Sequence, residues 1–325
     1  MARLYPFLLL PEFVERVWGT RDLKPIYARA VEQPIGEVWL TGDQCKVANG
    51  PMQGRQLADL CREFGRELVG EGVADSGRFP LLIKFLFPRE KLSVQVHPDD
   101  DGARRIGQPC GKTECWYVLK ALPQAQVALG FKPGTARQDV EGAIRDTRLE
   151  GLLNWVNIRD GEMIYVEAGT VHAIGPGSIL VETQQNSNTT YRLYDYGRPR
   201  ELHLKEGLEA MKLTTGAGKV QYAEAAQNGT QRLVASPCFV VDKFVLKETK
   251  DFSTGTPATA QCLVGITGCG VIESAASGPI SFARGECVIV PASVGEFRMR
   301  PQWDVEFLRA ALPTEELPPP RTSLD

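Results

Sequence analysis

Short apolar segments separated by glycine and proline turns recur along most of the chain, and this pattern constrains the fold more than any other feature. Residues 79–87 (FPLLIKFLF) are almost continuously apolar, as expected for a strand buried on both faces. Residues 92–97 (LSVQVH) alternate, so Ser93, Gln95 and His97 share one face of a strand. The 32 glycines and 22 prolines in 325 residues allow many tight turns. We therefore expect a mainly β protein.

Helical periodicity is confined to a few segments. Residues 55–69 place their leucines and a phenylalanine on one helical stripe, and residues 140–155 and 204–211 give two further helical patterns. Short helices of this kind typically pack against the outside of a β core. We predict two β-barrels of the jelly-roll type with a small helical elaboration.

The length of the chain exceeds the usual span of a single core, so we expect two domains. The sequence becomes small and polar near residue 214, which predicts a linker over 214–230. The N-terminal domain would then span 1–213, with the helical insert at about 55–72, and the C-terminal domain 231–325.

A weak internal repeat supports this division. Residues 161–172 (GEMIYVEAGTVH) align with residues 285–296 (GECVIVPASVGE). Each segment predicts a strand that enters a tight turn inside a barrel. Because Glu296 stands where the first copy has His172, we expect the C-terminal domain to keep the fold and to be non-catalytic.

Composition excludes several classes of protein. A formal net charge of -3 does not suit a nucleic-acid-binding surface. The first apolar run, residues 4–11, is too short for a membrane span and does not fit a signal peptide, so we predict a cytoplasmic protein without membrane association. Its 8 cysteines contain no C-x-x-C pair and are expected to be reduced thiols.

Three histidines limit where an imidazole-based metal site can form. His97 shares a strand face with Gln95, Glu114 opens the next predicted strand, and His172 follows a tight turn. Together these four side chains would offer two imidazoles, a carboxylate and an amide oxygen, a ligand set that Zn²⁺ accepts. The alternative is structural, because a single histidine at a strand end is more often simply hydrogen-bonded and Glu114 could be a surface carboxylate.

A polar run at residues 181–198 supplies the second set of candidates. Arg192 alternates with apolar neighbours, and an arginine that faces a β core requires an anionic partner. A phosphate or an enediolate oxygen would serve, and so would an internal ion pair with Glu182. Lys112, just before the strand of Glu114, is a further candidate cation, with a simple loop lysine as the alternative.

At these residues the sequence resembles a known family, the type I mannose-6-phosphate isomerases (phosphomannose isomerases) in their shorter bacterial form. The resemblance covers nearly the whole chain and is weakest after the linker. The motifs that carry it are FVERVWG (13–19), IGEVWLTGDQCKVANGPMQGRQL (35–57), KLSVQVHPDD (91–100), GKTECWYVLKA (111–121), AGTVHAIGPG (168–177) and QQNSNTTYRLYDYGR (184–198).

The resemblance implies two cupin β-barrels, one bound zinc ion and the interconversion of mannose 6-phosphate with fructose 6-phosphate. The zinc ligands that it implies are His97, Glu114 and His172, with Gln95 as a further ligand. It implies a catalytic role for Arg192 and a place in the substrate pocket for Lys112 and Glu182.

The reaction would move a proton between C1 and C2 through a cis-enediol. Glu182, Lys112 and a zinc-bound hydroxide are the candidate bases, and the sequence does not choose among them. Two other classes compete with the isomerase. An Fe(II) cupin dioxygenase would use two histidines and a carboxylate but commonly has a histidine at the position of Gln95. A non-catalytic sugar-binding cupin would need neither Arg192 nor Lys112 beside the metal.

Overall fold

A computed structural model describes residues 3–71, 73, 77–223, 229–248, 251–254 and 258–325 of the chain. Its fold is mainly β, as the sequence predicts. The strands in chain order are β1 (Phe7–Leu9), β2 (Glu12–Thr20), β3 (Ile35–Trp39), β4 (Leu81–Leu86), β5 (Val94–Val96), β6 (Glu114–Ala121), β7 (Gln126–Phe131), β8 (Leu153–Asn157), β9 (Met163–Val166), β10 (His172–Ile174), β11 (Ser178–Gln185), β12 (Tyr191–Tyr194), β13 (Gly218–Val220), β14 (Thr230–Ala235), β15 (Val240–Leu246), β16 (Phe252–Thr254), β17 (Gln261–Thr267), β18 (Cys269–Ser274), β19 (Ser277–Ala283), β20 (Cys287–Val290), β21 (Phe297–Pro301), β22 (Val305–Ala311) and β23 (Thr322–Ser323). The α-helices are α1 (Leu57–Phe64), α2 (Arg66–Val69), α3 (Asp100–Arg105), α4 (Arg137–Arg145) and α5 (Leu204–Ala210).

These strands form four antiparallel sheets that face one another in pairs. One pair comprises an eight-stranded sheet of order β2–β3–β4–β11–β6–β9–β13–β23 and a five-stranded sheet of order β12–β5–β10–β7–β8. The other comprises a six-stranded sheet of order β1–β20–β17–β22–β15–β14 and a four-stranded sheet of order β16–β21–β18–β19. We call the pairs the N-terminal and the C-terminal sandwich. An apolar core fills each of them, and the sheets remain open rather than closing into hydrogen-bonded barrels.

The two sandwiches share one strand order. Five consecutive strands of the eight-stranded sheet, β3–β4–β11–β6–β9, correspond in order to five strands of the six-stranded sheet, β14–β15–β22–β17–β20. The two copies of the repeat fall on equivalent strands, because residues 161–172 contain β9 and residues 285–296 contain β20. Both strands follow a glycine in the left-handed region, Gly161 at φ 87° and Gly285 at φ 82°.

Two strands cross the predicted boundary between domains. The N-terminal strand β1 pairs with β20 in the C-terminal sandwich, and β13, inside the predicted linker 214–230, pairs with β9 in the N-terminal sandwich. The tail strand β23 then pairs with β13. Each crossing segment supplies hydrogen-bond partners to backbone groups at the edge of a sheet, which would otherwise be exposed. The division into 1–213 and 231–325 stays a prediction. Within the predicted linker 214–230, residues 218–220 form a strand, and residues 224–228 lie outside the described residues.

Helices cover the outer faces of the N-terminal sandwich. The insert predicted near 55–72 forms α1 and α2, which are separated by Gly65 at φ 47° and pack in the apolar core that also joins the two sandwiches. Helices α4 and α5 pack on the outer face of the five-stranded sheet. None of the helices in the described part of the chain is long and apolar enough to cross a membrane.

The helix predicted over 140–155 is wrong in its second half. Helix α4 ends at Arg145, shortly before Thr147 adopts a left-handed φ of 55°, and β8 pairs with β7 at the edge of the five-stranded sheet. The apolar residues of this segment could be buried in a helix or in a strand, and the pairing with β7 selects the strand.

Candidate metal centre

Three of the predicted ligands meet inside the N-terminal sandwich. His97 follows β5, Glu114 begins β6 and His172 begins β10, so three neighbouring strand ends deliver them to one place. All three are buried. Glu114 lies between the imidazoles, with Oε1 3.3 Å from His172 Nε2 and Oε2 3.8 Å from His97 Nε2. One ligand atom from each residue falls within 4.8 Å of the others, a separation that one metal ion can bridge.

Backbone carbonyls orient both imidazoles. His97 Nδ1 lies 2.9 Å from the carbonyl oxygen of Thr189, and His172 Nδ1 lies 2.9 Å from that of Thr170. A carbonyl oxygen can only accept, so each Nδ1 carries the hydrogen and each Nε2 keeps its lone pair toward Glu114. Burial lowers the pKa of His172 to about 4, and burial together with the Lys112 ammonium holds the pKa of His97 well below its usual range. Both rings are therefore neutral near pH 7, the form that binds metals.

Gln95 lies beside these three residues. Its Nε2 is 3.2 Å from His172 Nε2, and Ser93 Oγ donates to its Oε1 at 3.2 Å. Rotation of the carboxamide by half a turn would bring an oxygen to the same place. The donor set of two neutral imidazoles, a carboxylate and an adjacent amide fits a divalent cation that takes nitrogen and oxygen ligands. Burial raises the pKa of Glu114 to about 8 even though Lys112 opposes this, so a cation at this site would offset the cost of its buried charge.

Buried charges of alternating sign continue from Glu114 across the eight-stranded sheet. We call Glu37, Lys84, Glu182, Lys112 and Glu114 the charge row. Lys112 Nζ lies 2.7 Å from Glu114 Oε2, 3.1 Å from His97 Nε2 and 3.5 Å from Glu182 Oε1. Lys84 Nζ lies 3.0 Å from Glu182 Oε2 and 3.6 Å from Glu37 Oε2. Every charge in the row thus has an opposite charge as its neighbour.

This alternation keeps Glu182 and Lys84 in their charged forms. Burial raises the pKa of Glu182, but the ammonium groups of Lys84 and Lys112 outweigh burial and hold that pKa well below its usual range. Burial lowers the pKa of Lys84, and the carboxylates of Glu182 and Glu37 outweigh it, so the pKa of Lys84 is raised. The row therefore offers a fixed carboxylate at Glu182 and a fixed ammonium group at Lys84 close to the candidate metal ligands.

A cavity of about 640 Å³ is lined by the candidate ligands Gln95 and Glu114 and by the rest of the charge row. Arg192 also lines it, on the strand that pairs with β5, and its Nη1 donates to the carbonyl oxygen of Glu201 at 2.8 Å. Its buried Nε has no hydrogen-bond partner in the described structure. The alternative of an Arg192–Glu182 ion pair is wrong, because the Glu182 carboxylate instead faces Lys84 and Lys112.

The remaining predictions also have definite positions. Lys112 is not an exposed loop lysine, because only 5% of its surface is accessible. His203, the third histidine, stands at the position before α5 without a side-chain capping hydrogen bond, and its Nδ1 accepts a hydrogen bond of 3.3 Å from the backbone N–H of Arg192.

Sequence analysis missed Lys84 and Glu37. A signal existed for Lys84, since it is the single charged residue in the apolar run 79–87 and a lysine in a strand buried on both faces requires a carboxylate partner. Its partner Glu37 could not be identified, because the pairing of β3 with β4 is not visible in either segment alone.

Comparisons with known proteins agree with this architecture. Residues 9–117 match the family model described as phosphomannose isomerase type I, catalytic domain. The chain is 34% identical to mannose-6-phosphate isomerase ManA of Bacillus subtilis (strain 168), over 90% of this chain and 95% of that protein. It is also 34% identical to the mannose-6-phosphate isomerase of Streptococcus mutans, over 74% of this chain and 78% of that protein.

A solved structure extends the similarity to the fold. The crystal structure of the mannose 6-phosphate isomerase from Bacillus subtilis superposes with a TM-score of 0.85 at 29% identity, over 94% of this chain and 99% of that one. A putative mannosephosphate isomerase from Archaeoglobus fulgidus, 20% identical, shares the fold with a TM-score of 0.75 over 94% and 97% of the two chains. The chain belongs to the type I mannose-6-phosphate isomerase (phosphomannose isomerase) family.

Proposed function

We propose that the protein interconverts D-mannose 6-phosphate and D-fructose 6-phosphate through an enediol intermediate, with one zinc ion per chain. The observation that carries this proposal is the ligand set His97, Glu114 and His172 at the wall of a cavity that Glu114, Lys112 and Arg192 line, in a chain of this family. Phosphorylated sugars are formed and consumed inside cells, so the proposed location is the cytoplasm.

His97, Glu114 and His172 would hold the zinc ion, and Gln95 would add an amide oxygen if its carboxamide is rotated by half a turn. Zinc supplies Lewis-acid polarisation of substrate oxygens when it is bound. The carbonyl contacts of both Nδ1 atoms support this assignment, because they fix the tautomer in which Nε2 can coordinate. A catalytic zinc site with three protein ligands keeps a further position for substrate or water.

The chemistry of the proposed reaction assigns roles to the other side chains. Moving a proton between C1 and C2 requires a group that accepts it and returns it, and Glu182 and Lys112 are the two titratable side chains of the cavity that neighbour the candidate ligands. Arg192, with a buried Nε that lacks an acceptor, would bind a substrate oxygen on which negative charge develops.

The first test measures isomerisation of mannose 6-phosphate by purified protein, with metal content determined on the same sample. We expect activity that disappears on chelation and returns with Zn²⁺. Metal-bound protein without isomerisation would refute the proposed reaction. Oxygen consumption by an Fe(II)-loaded sample would instead identify a dioxygenase, and sugar binding without turnover would identify a binding protein.

Variants then test the proton-transfer residues. We expect Glu182→Gln and Lys112→Met each to lower kcat/KM by about 10²–10⁴-fold while zinc is retained. Lys120→Met, at an exposed position near the end of the strand that Glu114 begins, is the matched control and should leave the rate unchanged. If both inner variants turn over at nearly the normal rate with zinc bound, a side-chain base is the wrong mechanism.

A further inference from the structure

The C-terminal sandwich contains a second charged cluster, formed around the buried Asp242 in the row equivalent to one that crosses the N-terminal sandwich. The repeat aligns Ile164 of β9 with Val288 of β20. Starting from these two residues, strand pairing defines one row across each sheet. In the N-terminal sandwich the row is Ile164, Trp116, Glu182, Lys84 and Trp39. In the C-terminal sandwich it is Val288, Leu263, Arg309, Asp242 and Arg232.

The sign of the charges is reversed between the two rows. Asp242 occupies the position of Lys84, and Arg309 that of Glu182. Asp242 is buried; its Oδ2 accepts a hydrogen bond of 2.7 Å from Arg309 Nη2, and its Oδ1 accepts one from Arg232 Nε. Two guanidinium groups share one carboxylate, so the cluster carries a net charge of +1.

The residue at the position of the proposed metal ligand Glu114 also differs between the two sandwiches. Glu114 pairs with Val166, and the equivalent pair in the C-terminal sandwich is Gln261 with Val290. A neutral amide therefore replaces the carboxylate beside the cluster. This substitution removes an anionic ligand and leaves the surroundings more positive, which favours an anion over a metal cation.

A cavity of about 470 Å³ opens onto this cluster. Arg232, Asp242, Arg309 and Gln261 line it, with hydroxyl groups from Ser253, Thr259 and Thr314. Glu315 also lines the cavity but is exposed to solvent, so its charge is screened more strongly than those of the buried Asp242 and the partly buried Arg309. The volume is sufficient for a small metabolite.

We propose that this cavity binds a small phosphorylated metabolite through Arg232 and Arg309. Each guanidinium has five N–H donors, and the contacts with Asp242 use one from each. The other donors form forks that match phosphate oxygens. Arg309 is already positioned, because its guanidinium lies 5.0 Å from the centroid of the Phe244 ring and its partner Asp242 is buried. This site does not depend on the proposed isomerase reaction.

The test observes the arginine side chains directly, through their Nε–H signals in NMR spectra of the intact protein titrated with inorganic phosphate. We expect the signals of Arg232 and Arg309 to shift saturably, while that of Arg298, an exposed arginine on the four-stranded sheet, does not. Sodium acetate at equal ionic strength is the comparison and should shift them less. Since the two reporting residues line the C-terminal cavity, phosphate bound in the N-terminal cavity does not mimic this result.

Two variants and a control complete the experiment. Arg232→Gln, whose side chain is 54% exposed, should weaken phosphate binding about tenfold and leave isomerisation unchanged, whereas Arg298→Gln should change neither. Asp242→Asn should strengthen binding, because it removes the carboxylate that competes for both guanidinium groups. Equal phosphate affinities for Arg232→Gln and Arg298→Gln, or shifts at Arg298 as large as those at Arg232, would overturn the proposal. Acetate binding as tightly as phosphate would overturn the choice of a phosphorylated ligand.

Discussion

Replacing Lys84 with methionine tests the charge row as a unit of stability. Lys84 is 6% exposed and separates two buried carboxylates, with Nζ 3.0 Å from Glu182 and 3.6 Å from Glu37. Removing one partner from a buried ion pair typically costs about 3–5 kcal/mol, since the remaining charge stays desolvated. Each carboxylate here keeps a second cation, because Arg16 lies 2.8 Å from Glu37 and Lys112 lies 3.5 Å from Glu182. We therefore expect Lys84→Met to lower the free energy of unfolding by about 3 kcal/mol, the lower end of this range.

The measurement is urea-induced unfolding followed by circular dichroism, in the presence of a chelator so that metal binding does not add to stability. Lys120→Met replaces an exposed lysine with the same side chain and should change the free energy of unfolding by no more than about 0.5 kcal/mol. Equal losses for Lys84→Met and Lys120→Met would refute the reasoning.

A double variant separates charge from packing. Adding Glu182→Gln to Lys84→Met neutralises one of the two carboxylates that lost the cation, so part of the stability should return, at least about 1 kcal/mol. If the double variant is less stable than Lys84→Met alone, the loss comes from the packing of the lysine stem and not from an unpaired charge.

Two further predictions concern the C-terminal sandwich and its turns, both measured by urea unfolding. Phe307→Ala removes a fully buried ring and should lower the free energy of unfolding by about 3–5 kcal/mol. Val245→Ala, at a residue that is 40% exposed, should lower it by less than about 1 kcal/mol. Equal losses would contradict the assignment of this core. Gly268→Ala and Gly134→Ala both place a side chain at a left-handed φ, at a cost of about 1–2 kcal/mol. Gly268→Ala should cost about 1–3 kcal/mol more than Gly134→Ala. The added Cβ at residue 268 would lie 1.9 Å from the carbonyl oxygen of Asp304, whereas the one at residue 134 meets open space. Identical losses for the two variants would rule out this clash.

Local pattern was sufficient for much of the fold because strand periodicity is a property of a few consecutive residues. The apolar run 79–87 contains β4, and the alternation at 92–97 placed Gln95 and His97 on the side of β5 opposite the buried Val94 and Val96. The same alternation is the reason that the candidate ligands could be grouped from sequence. Gln95 and His97 share a face of this segment, and Gln95 lines the cavity, whereas Glu114 and His172 come from other strands.

Features that depend on long-range pairing could not be predicted in this way. Strand β1 belongs to the C-terminal sandwich because its partner, β20, lies about 280 residues away in the chain. The segment 153–157 is apolar enough for either a helix or a strand, and only its pairing with β7 selects the strand. The partners of Lys84 likewise come from two strands that no local pattern connects with it.

The two sandwiches show how one strand order can bury different contents. In the C-terminal sandwich, Phe244 and Phe307 stack with ring centroids 4.9 Å apart, and Phe282 packs edge-on against Phe307. Apolar burial therefore stabilises most of this interior, and the buried charge of Asp242 is compensated by its two arginine partners. The N-terminal sandwich instead buries a row of alternating charges. A single unpaired member of such a row is costly, and this cost constrains every neighbour to keep the opposite sign. Reversing the signs at two equivalent positions therefore requires reversing their partners together. The additional cation Arg232 beside Asp242, and the neutral Gln261 at the position of Glu114, then make the surroundings of the C-terminal cavity more positive.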